Sequence, residues 1–150
     1  MIALTPIGVV RGGRAEIYED HWGPVTSRIV LDPAEVEPDA TLGLEEFSHL
    51  EVVFRFHLAT RVNRGAAHPR GNPAWPRVGV LAGHSPKRPN HLGVSRCELV
   101  SVRGLELTVR GLDAIHGSPV IDVKPYATEF NPAGPVREPA WMRELMREYY

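Results

Sequence analysis

The chain has 150 residues, a formal net charge of −1 and 23% charged side chains, a size that suits one domain with a sizeable core. It contains no apolar run of about 18 residues, which argues against a membrane span. The N-terminus lacks a basic stretch leading into an apolar signal core, and Cys97 stands alone, so no internal disulfide forms. These features lead to the expectation of a cytoplasmic protein.

Fourteen glycines and fourteen prolines are scattered along the chain, a pattern of strands and turns rather than a helix bundle. Strands are expected at Thr5–Arg11, Thr26–Leu31 and Leu50–His57. His49 and His57 are evenly separated, so on an unbroken strand both would point to one face. Arg61–Trp75 is poor in apolar residues and rich in Gly and Pro, and is expected to be a long mobile loop. Further strands are expected at Arg77–Ala82, Val94–Val102, Leu105–Leu112 and Val120–Lys124. Leu105 to Val109 alternates apolar and polar, as a half-buried strand does. Val102-Arg103-Gly104-Leu105 reads as a tight hairpin turn. Between the two middle strands, Pro86 and Pro89 rule out a helix. A rigid polar loop in that position is where a ligand site is expected. The one expected helix lies near the C-terminus, with Pro139 in its first turn. Trp141, Leu145 and Tyr149 fall on one of its faces, to pack on the chain's own strands or on a second subunit. Many short strands with turns between them suggest a barrel or a sandwich.

Charge is unevenly spread. Residues 1–60 carry four basic and ten acidic side chains, whereas residues 61–110 carry nine basic and two acidic. Either the two segments pair across one fold, or the second presents a basic face to phosphate or another anion.

Neither a G-x-G-x-x-G after a strand nor a Walker sequence is present, so no Rossmann site or P-loop is supported. The seven histidines show no metal-ligand spacing, and no metal is expected. There is no G-x-S-x-G elbow for a serine hydrolase.

The segment Val78–Ser95 resembles the TrmO family, also called TsaA-like or YaeB-like. Its pattern is kept at Gly79, Ser85, Arg88, Pro89, Asn90, Gly93 and Ser95. Pro6 to Arg11 resembles the opening strand of that family. Gly43 to Leu50, continuing to Phe56-His57, resembles its second motif, and Gly117 to Tyr126 its closing motif. The resemblance implies a mainly β protein, a single compact barrel over residues 1–150 that binds S-adenosylmethionine. It implies cofactor contacts at His21, Trp22 and Gly23, at His57 and Leu58, at His84 and Val94, and at Arg110, Gly111, Leu112 and Asp113. Ser85, Arg88, Pro89, Asn90, Asn72, Lys124 and Tyr126 are candidates for shaping the loop or meeting substrate. No catalytic base is singled out. The chain departs from the family at His84, where Arg is common, and at Leu81, Gly83, His91 and Glu51.

The chemistry suits the implied ligand. Adenine takes apolar walls and backbone amides, such as Leu92 and Val94 offer. Ribose hydroxyls or the tail ammonium take a carboxylate, for which Asp113 is the candidate. Each residue also has a plainer role: His57 as a hydrogen-bonded core histidine, Asp113 as a turn cap, Arg88 to Asn90 as loop framework. The sulfonium is a strong electrophile, so alignment of the acceptor supplies much of the rate, with a base for the proton. The resemblance implies N-methyl transfer to a modified adenosine of the threonylcarbamoyl type in tRNA, by a homodimer. Methyl transfer to a small molecule, or a barrel that binds cofactor or RNA without turnover, are the alternatives.

Overall fold

The computed structural model describes residues 1–150. Eight strands run β1 Gly8–Arg11, β2 Thr26–Leu31, β3 His49–Arg55, β4 Ala66–Ala67, β5 Val78–Gly79, β6 Leu92–Arg103, β7 Glu106–Arg110 and β8 Pro119–Pro125, followed by one helix, α1 Ala140–Met146. Six of them close into a barrel in the order β1-β2-β7-β6-β3-β8, and β4 pairs with β5 outside it. Every pairing is antiparallel, so hairpins and loops alone connect the strands. No helix is long and apolar enough to cross a membrane.

Alternation along each strand builds the core. Ile29 and Leu31 of β2, Leu50, Val52 and Phe54 of β3, Cys97 of β6, and Leu107 and Val109 of β7 point inward, joined by Val10, Leu112, Ala114 and Val120. Full burial of a Leu, Ile, Val or Phe side chain contributes about 1.5–3 kcal/mol. Gly93 sits opposite Phe54 in the β3–β6 register and leaves room for its ring. The expected turn is a two-residue hairpin: Arg103 pairs with Glu106, and Gly104 between them takes φ 59°.

Several expectations need correction. The strand expected at Arg77–Ala82 is only two residues long and then becomes a 3-10 turn over Val80–Ala82, since its one partner is the two-residue β4. Arg61–Trp75 is not a structureless loop. It holds β4 and a 3-10 turn at Pro69–Gly71, and Arg70 and Trp75 anchor it through side-chain bonds to Asp20 and Glu144. β3 stops at Arg55 and its pairing with β8 shifts at Val53/Phe54, so His49 and His57 do not share a strand face. Pro139 caps the helix rather than entering it, and Tyr149 lies beyond its last turn.

Candidate functional site

Antiparallel closure gathers particular loops at one mouth of the barrel. The β1–β2 loop, the segment after β3, the loop before β6 and the β7–β8 loop all open there. These loops carry the cofactor candidates other than Val94, which lies on β6, and Arg110, which ends β7.

The β1–β2 loop folds around Arg14. Its guanidinium donates to the carbonyls of Asp20 and His21, both at 2.5 Å, and lies over the rings of Trp22 and Tyr18 at 4.6 and 5.1 Å. Those bonds hold His21 at φ 61°, an uncommon conformation for a side chain with a Cβ. Trp22 is buried. From outside, Arg70 pairs with Asp20 at 2.9 Å and with Glu19 at 3.3 Å. Burial opposes the Arg70 charge, but the bond to Asp20 and the field of Glu19 outweigh it, so its pKa is raised.

Gly111 and Asp113 adjoin this loop. The Gly111 amide donates to Val25 at 2.9 Å, and a Cβ on Gly111 would lie 3.7 Å from the Gly23 carbonyl oxygen. Leu112 is wholly buried in the core and offers the site only its backbone. The Asp113 carboxylate accepts a hydrogen bond from the Tyr149 hydroxyl at Oδ2, while Oδ1 is buried without a partner. Burial first, then the adjacent Asp113 charge, raises the Tyr149 phenol far above its ordinary value and pushes Tyr150 up to about 12. The same two causes push the Cys97 thiol up to about 12, so it is a neutral core side chain.

His57 lies across the mouth, its Nε2 3.4 Å from where a Gly117 Cβ would stand. Its Nδ1 is buried and unpartnered. Burial, then the Arg55 charge, lowers its pKa, so the ring is neutral at pH 7. Leu58, Leu81 and Val94 are 49%, 82% and 64% exposed, Val94 pointing outward from β6 opposite Val53.

The Pro-rich loop before β6 is internally braced. Arg88 donates to the Gly83 carbonyl at 2.7 Å, Ser85 Oγ accepts from the Lys87 amide at 3.2 Å, and the His91 ring meets the Pro86 carbonyl at 2.9 Å. Asn90 and His91 follow Pro89 with φ 67° and 52°. Arg88 and Ser85 therefore shape this loop, and His84 at its rim is exposed.

Other candidates stand apart. Asn72 accepts from the Ala74 amide and forms a turn. Arg110 pairs with Glu98 on the outer surface. Lys124, paired with Asp122, and Tyr126, under the Arg96 guanidinium, belong to the end of β8 at the opposite mouth. That mouth holds a groove of about 510 Å³ lined by Val36, Leu42, Leu44, Phe47 and Val123 among others. Arg14 and Arg70 join the site without having been singled out in the sequence, and Tyr149, expected only on a helix face, joins it as well. No group of three or more His, Cys, Asp or Glu side chains is arranged to hold a metal.

The family described as the tRNA-methyltransferase O N-terminal domain matches residues 20–131. A probable S-adenosyl-L-methionine-binding protein of Methanothermobacter thermautotrophicus is 38% identical over 138 residues, covering 89% of this chain and 96% of that protein. A tRNA (adenine(37)-N6)-methyltransferase of Homo sapiens is 40% identical over 100 residues, or 65% of this chain and 22% of the human one. The crystal structure of TrmO from Pseudomonas aeruginosa superposes with a TM-score of 0.74 at 27% identity, covering 91% of this chain and 61% of that one. The chain thus spans nearly all of the archaeal relative but about a fifth of the human enzyme.

Proposed function

The chain belongs to the tRNA-methyltransferase O N-terminal-domain family, and from that premise we propose that it transfers a methyl group from S-adenosylmethionine to an adenosine of tRNA. The cofactor site is the mouth formed by His21–Gly23, Gly111–Asp113 and His57. The observation that carries this reading is the pair of buried, unpartnered polar atoms there, Asp113 Oδ1 and His57 Nδ1. Buried polar groups normally have partners, and these two suit a ligand with hydroxyl and ammonium donors. Asp113 would hold a ribose hydroxyl or the tail ammonium, and the His21 to Gly23 backbone would line the adenosine.

The bound cofactor supplies the electrophilic methyl group. The protein's part is to bind, align and exclude water. Arg14 and Arg70 fix the loop that carries His21 and Trp22. His57, neutral at pH 7, has a free ring nitrogen able to take a proton from an attacking nitrogen. The finer substrate is a threonylcarbamoyl-type adenosine next to the anticodon, as the resemblance implies. Arg61, Arg64, Arg77 and Lys87 make no ion pair in this fold and are available to RNA phosphates. We take residues 1–150 as one domain, the assembly as a homodimer joined through the exposed apolar Leu58, Leu81 and Val94, and the location as the cytoplasm.

The test is formation of S-adenosylhomocysteine with bulk tRNA, with a tRNA-free metabolite fraction, and with neither. Turnover only with tRNA is expected. Turnover only with metabolites moves the reaction to a small-molecule acceptor, and tight cofactor binding without turnover makes the chain a binding protein. Sedimentation with Val94→Glu against wild type checks the dimer.

A further inference from the structure

The four residues after the helix, Arg147–Tyr150, lie across the groups on which the cofactor site relies. The carbonyls of Glu148 and Tyr149 accept from the amides of His21 and Trp22, both at 2.7 Å. The Tyr149 hydroxyl donates to Asp113 Oδ2. A Cβ on Gly23 would stand 2.9 Å from the Tyr150 carbonyl carbon, so the segment lies directly against that glycine. With Oδ2 taken and Oδ1 sealed from solvent, no incoming donor reaches Asp113 until Tyr149 leaves it.

We propose that Arg147–Tyr150 is a self-ligand of the cofactor pocket, which S-adenosylmethionine displaces in order to bind; this rests on the cofactor reading above. The polarity of the contacts is the main argument. The segment offers two acceptors to backbone amides and one hydroxyl donor to a carboxylate. An adenosine offers the same set, since its ring nitrogens accept and its ribose hydroxyls donate. An aromatic ring accompanies the hydroxyl in both cases.

Two further features suit exchange. The closed arrangement leaves Asp113 Oδ1 without a partner, a cost that a ligand with a second donor removes. The seven-residue helix that carries the segment has no fully buried side chain, and the Trp75 indole donates to its Glu144 at 2.8 Å from the neighbouring loop. Trp75 thus tethers the helix through Glu144, while the segment beyond it is held at the mouth by the three hydrogen bonds named above, whose breaking leaves the strand pairings intact. Gly23 completes the device, because any larger residue there would push the segment off.

The experiment is calorimetric titration of S-adenosylmethionine and S-adenosylhomocysteine into wild type, Tyr149→Phe and Tyr149→Gly. Hydrogen exchange of residues 141–150 is followed with and without cofactor. Tyr149→Phe keeps the ring and removes only the donor. It is expected to bind about tenfold more tightly, the factor that loss of one competing hydrogen bond to a charged group gives. Tyr149→Gly is expected to bind at least as tightly, and exchange of 141–150 in the wild type to quicken at saturating cofactor. Weaker binding in Tyr149→Phe with slower exchange would overturn the proposal, making the segment a wall of the pocket. Equal affinity in all three proteins with unchanged exchange also overturns it. No binding by any of them, all folded, overturns the cofactor reading itself.

Discussion

Gly93 belongs to the run Leu92-Gly93-Val94-Ser95 that resembles the family's ligand-loop motif, yet its surroundings make it a packing residue. A methyl group at Gly93 would stand 2.6 and 2.9 Å from Phe54 Cζ and Cε1, and 2.8 Å from Phe56 Cζ. Neither ring yields easily. The two meet edge to face with centroids 5.1 Å apart, and Phe54 is 1% exposed. Overpacking of this kind costs about 1–3 kcal/mol. Gly93 does not have positive φ, so alanine also recovers about 0.4–1 kcal/mol by restricting the unfolded chain. The expected result for Gly93→Ala is a net loss of about 1–2 kcal/mol. At about 2–4 °C per kcal/mol for a chain of this size, the melting temperature falls by roughly 2–8 °C. Shortening the ring should relieve the clash, so Phe54→Leu with Gly93→Ala should cost less than the sum of the single changes. Urea unfolding of the four proteins measures the cycle, with the slope checked for constancy. A Gly93→Ala protein as stable as wild type, or a strictly additive cycle, refutes the packing argument. Undiminished stability with lost cofactor binding would move Gly93 into the site.

Other expectations concern the mouth of the barrel. In a Tyr149→Phe background, where the internal competitor is weakened, Asp113→Asn should reduce cofactor affinity by about 1.5–3 kcal/mol by calorimetry; retained affinity with lowered stability would make Asp113 a turn cap. The folded-state pKa of His57 is lowered by burial and by Arg55, so below about pH 6.5 the unfolded chain takes up this proton first. The stabilisation is full above that pH and is lost as pH falls through the lower folded value. His57→Gln should flatten that part of a denaturation-against-pH profile, and an unchanged profile would count against it. For tRNA, log affinity should fall linearly with log salt. Replacing Arg61, Arg64 and Lys87 by Ala should shrink the slope by about 0.7–0.9 per lost phosphate contact, whereas an unchanged slope places the RNA elsewhere.

The barrel was legible because its strands alternate. Leu105 to Val109, where apolar and polar residues alternate, falls almost wholly within β7, Thr26–Leu31 appears in the structure with the bounds expected of it, and the Gly104 hairpin sits where the sequence puts it. The β4–β5 pair was not, since two residues carry no period and their pairing is set by contacts across the loop. Within the site, His21–Gly23 and Gly111–Asp113 do come together at one mouth, whereas Lys124 and Tyr126 lie at the other. Strand polarity decides that split, and motif order along the chain does not reveal it. Tyr149 shows the opposite failure. A four-residue spacing assigned it to a helix face, but its role depends on the helix ending at Met146 and on a partner 36 residues away.

Backbone strain in this protein is concentrated in the loops around the site. His21, Arg70, Asn90 and His91 are its only non-glycine residues with positive φ. Each such residue stores energy on the order of 1–3 kcal/mol that its neighbours must hold in place. Glycine at any of the four would release that tension, and a laboratory selection for heat resistance alone would drift toward those replacements. Its winners would keep the barrel and the curvature of the loops above it, since glycine takes positive φ freely, and would lose the side chains that those loops present. Breeding a hardier version of this protein therefore requires turnover to be scored in the same round as survival.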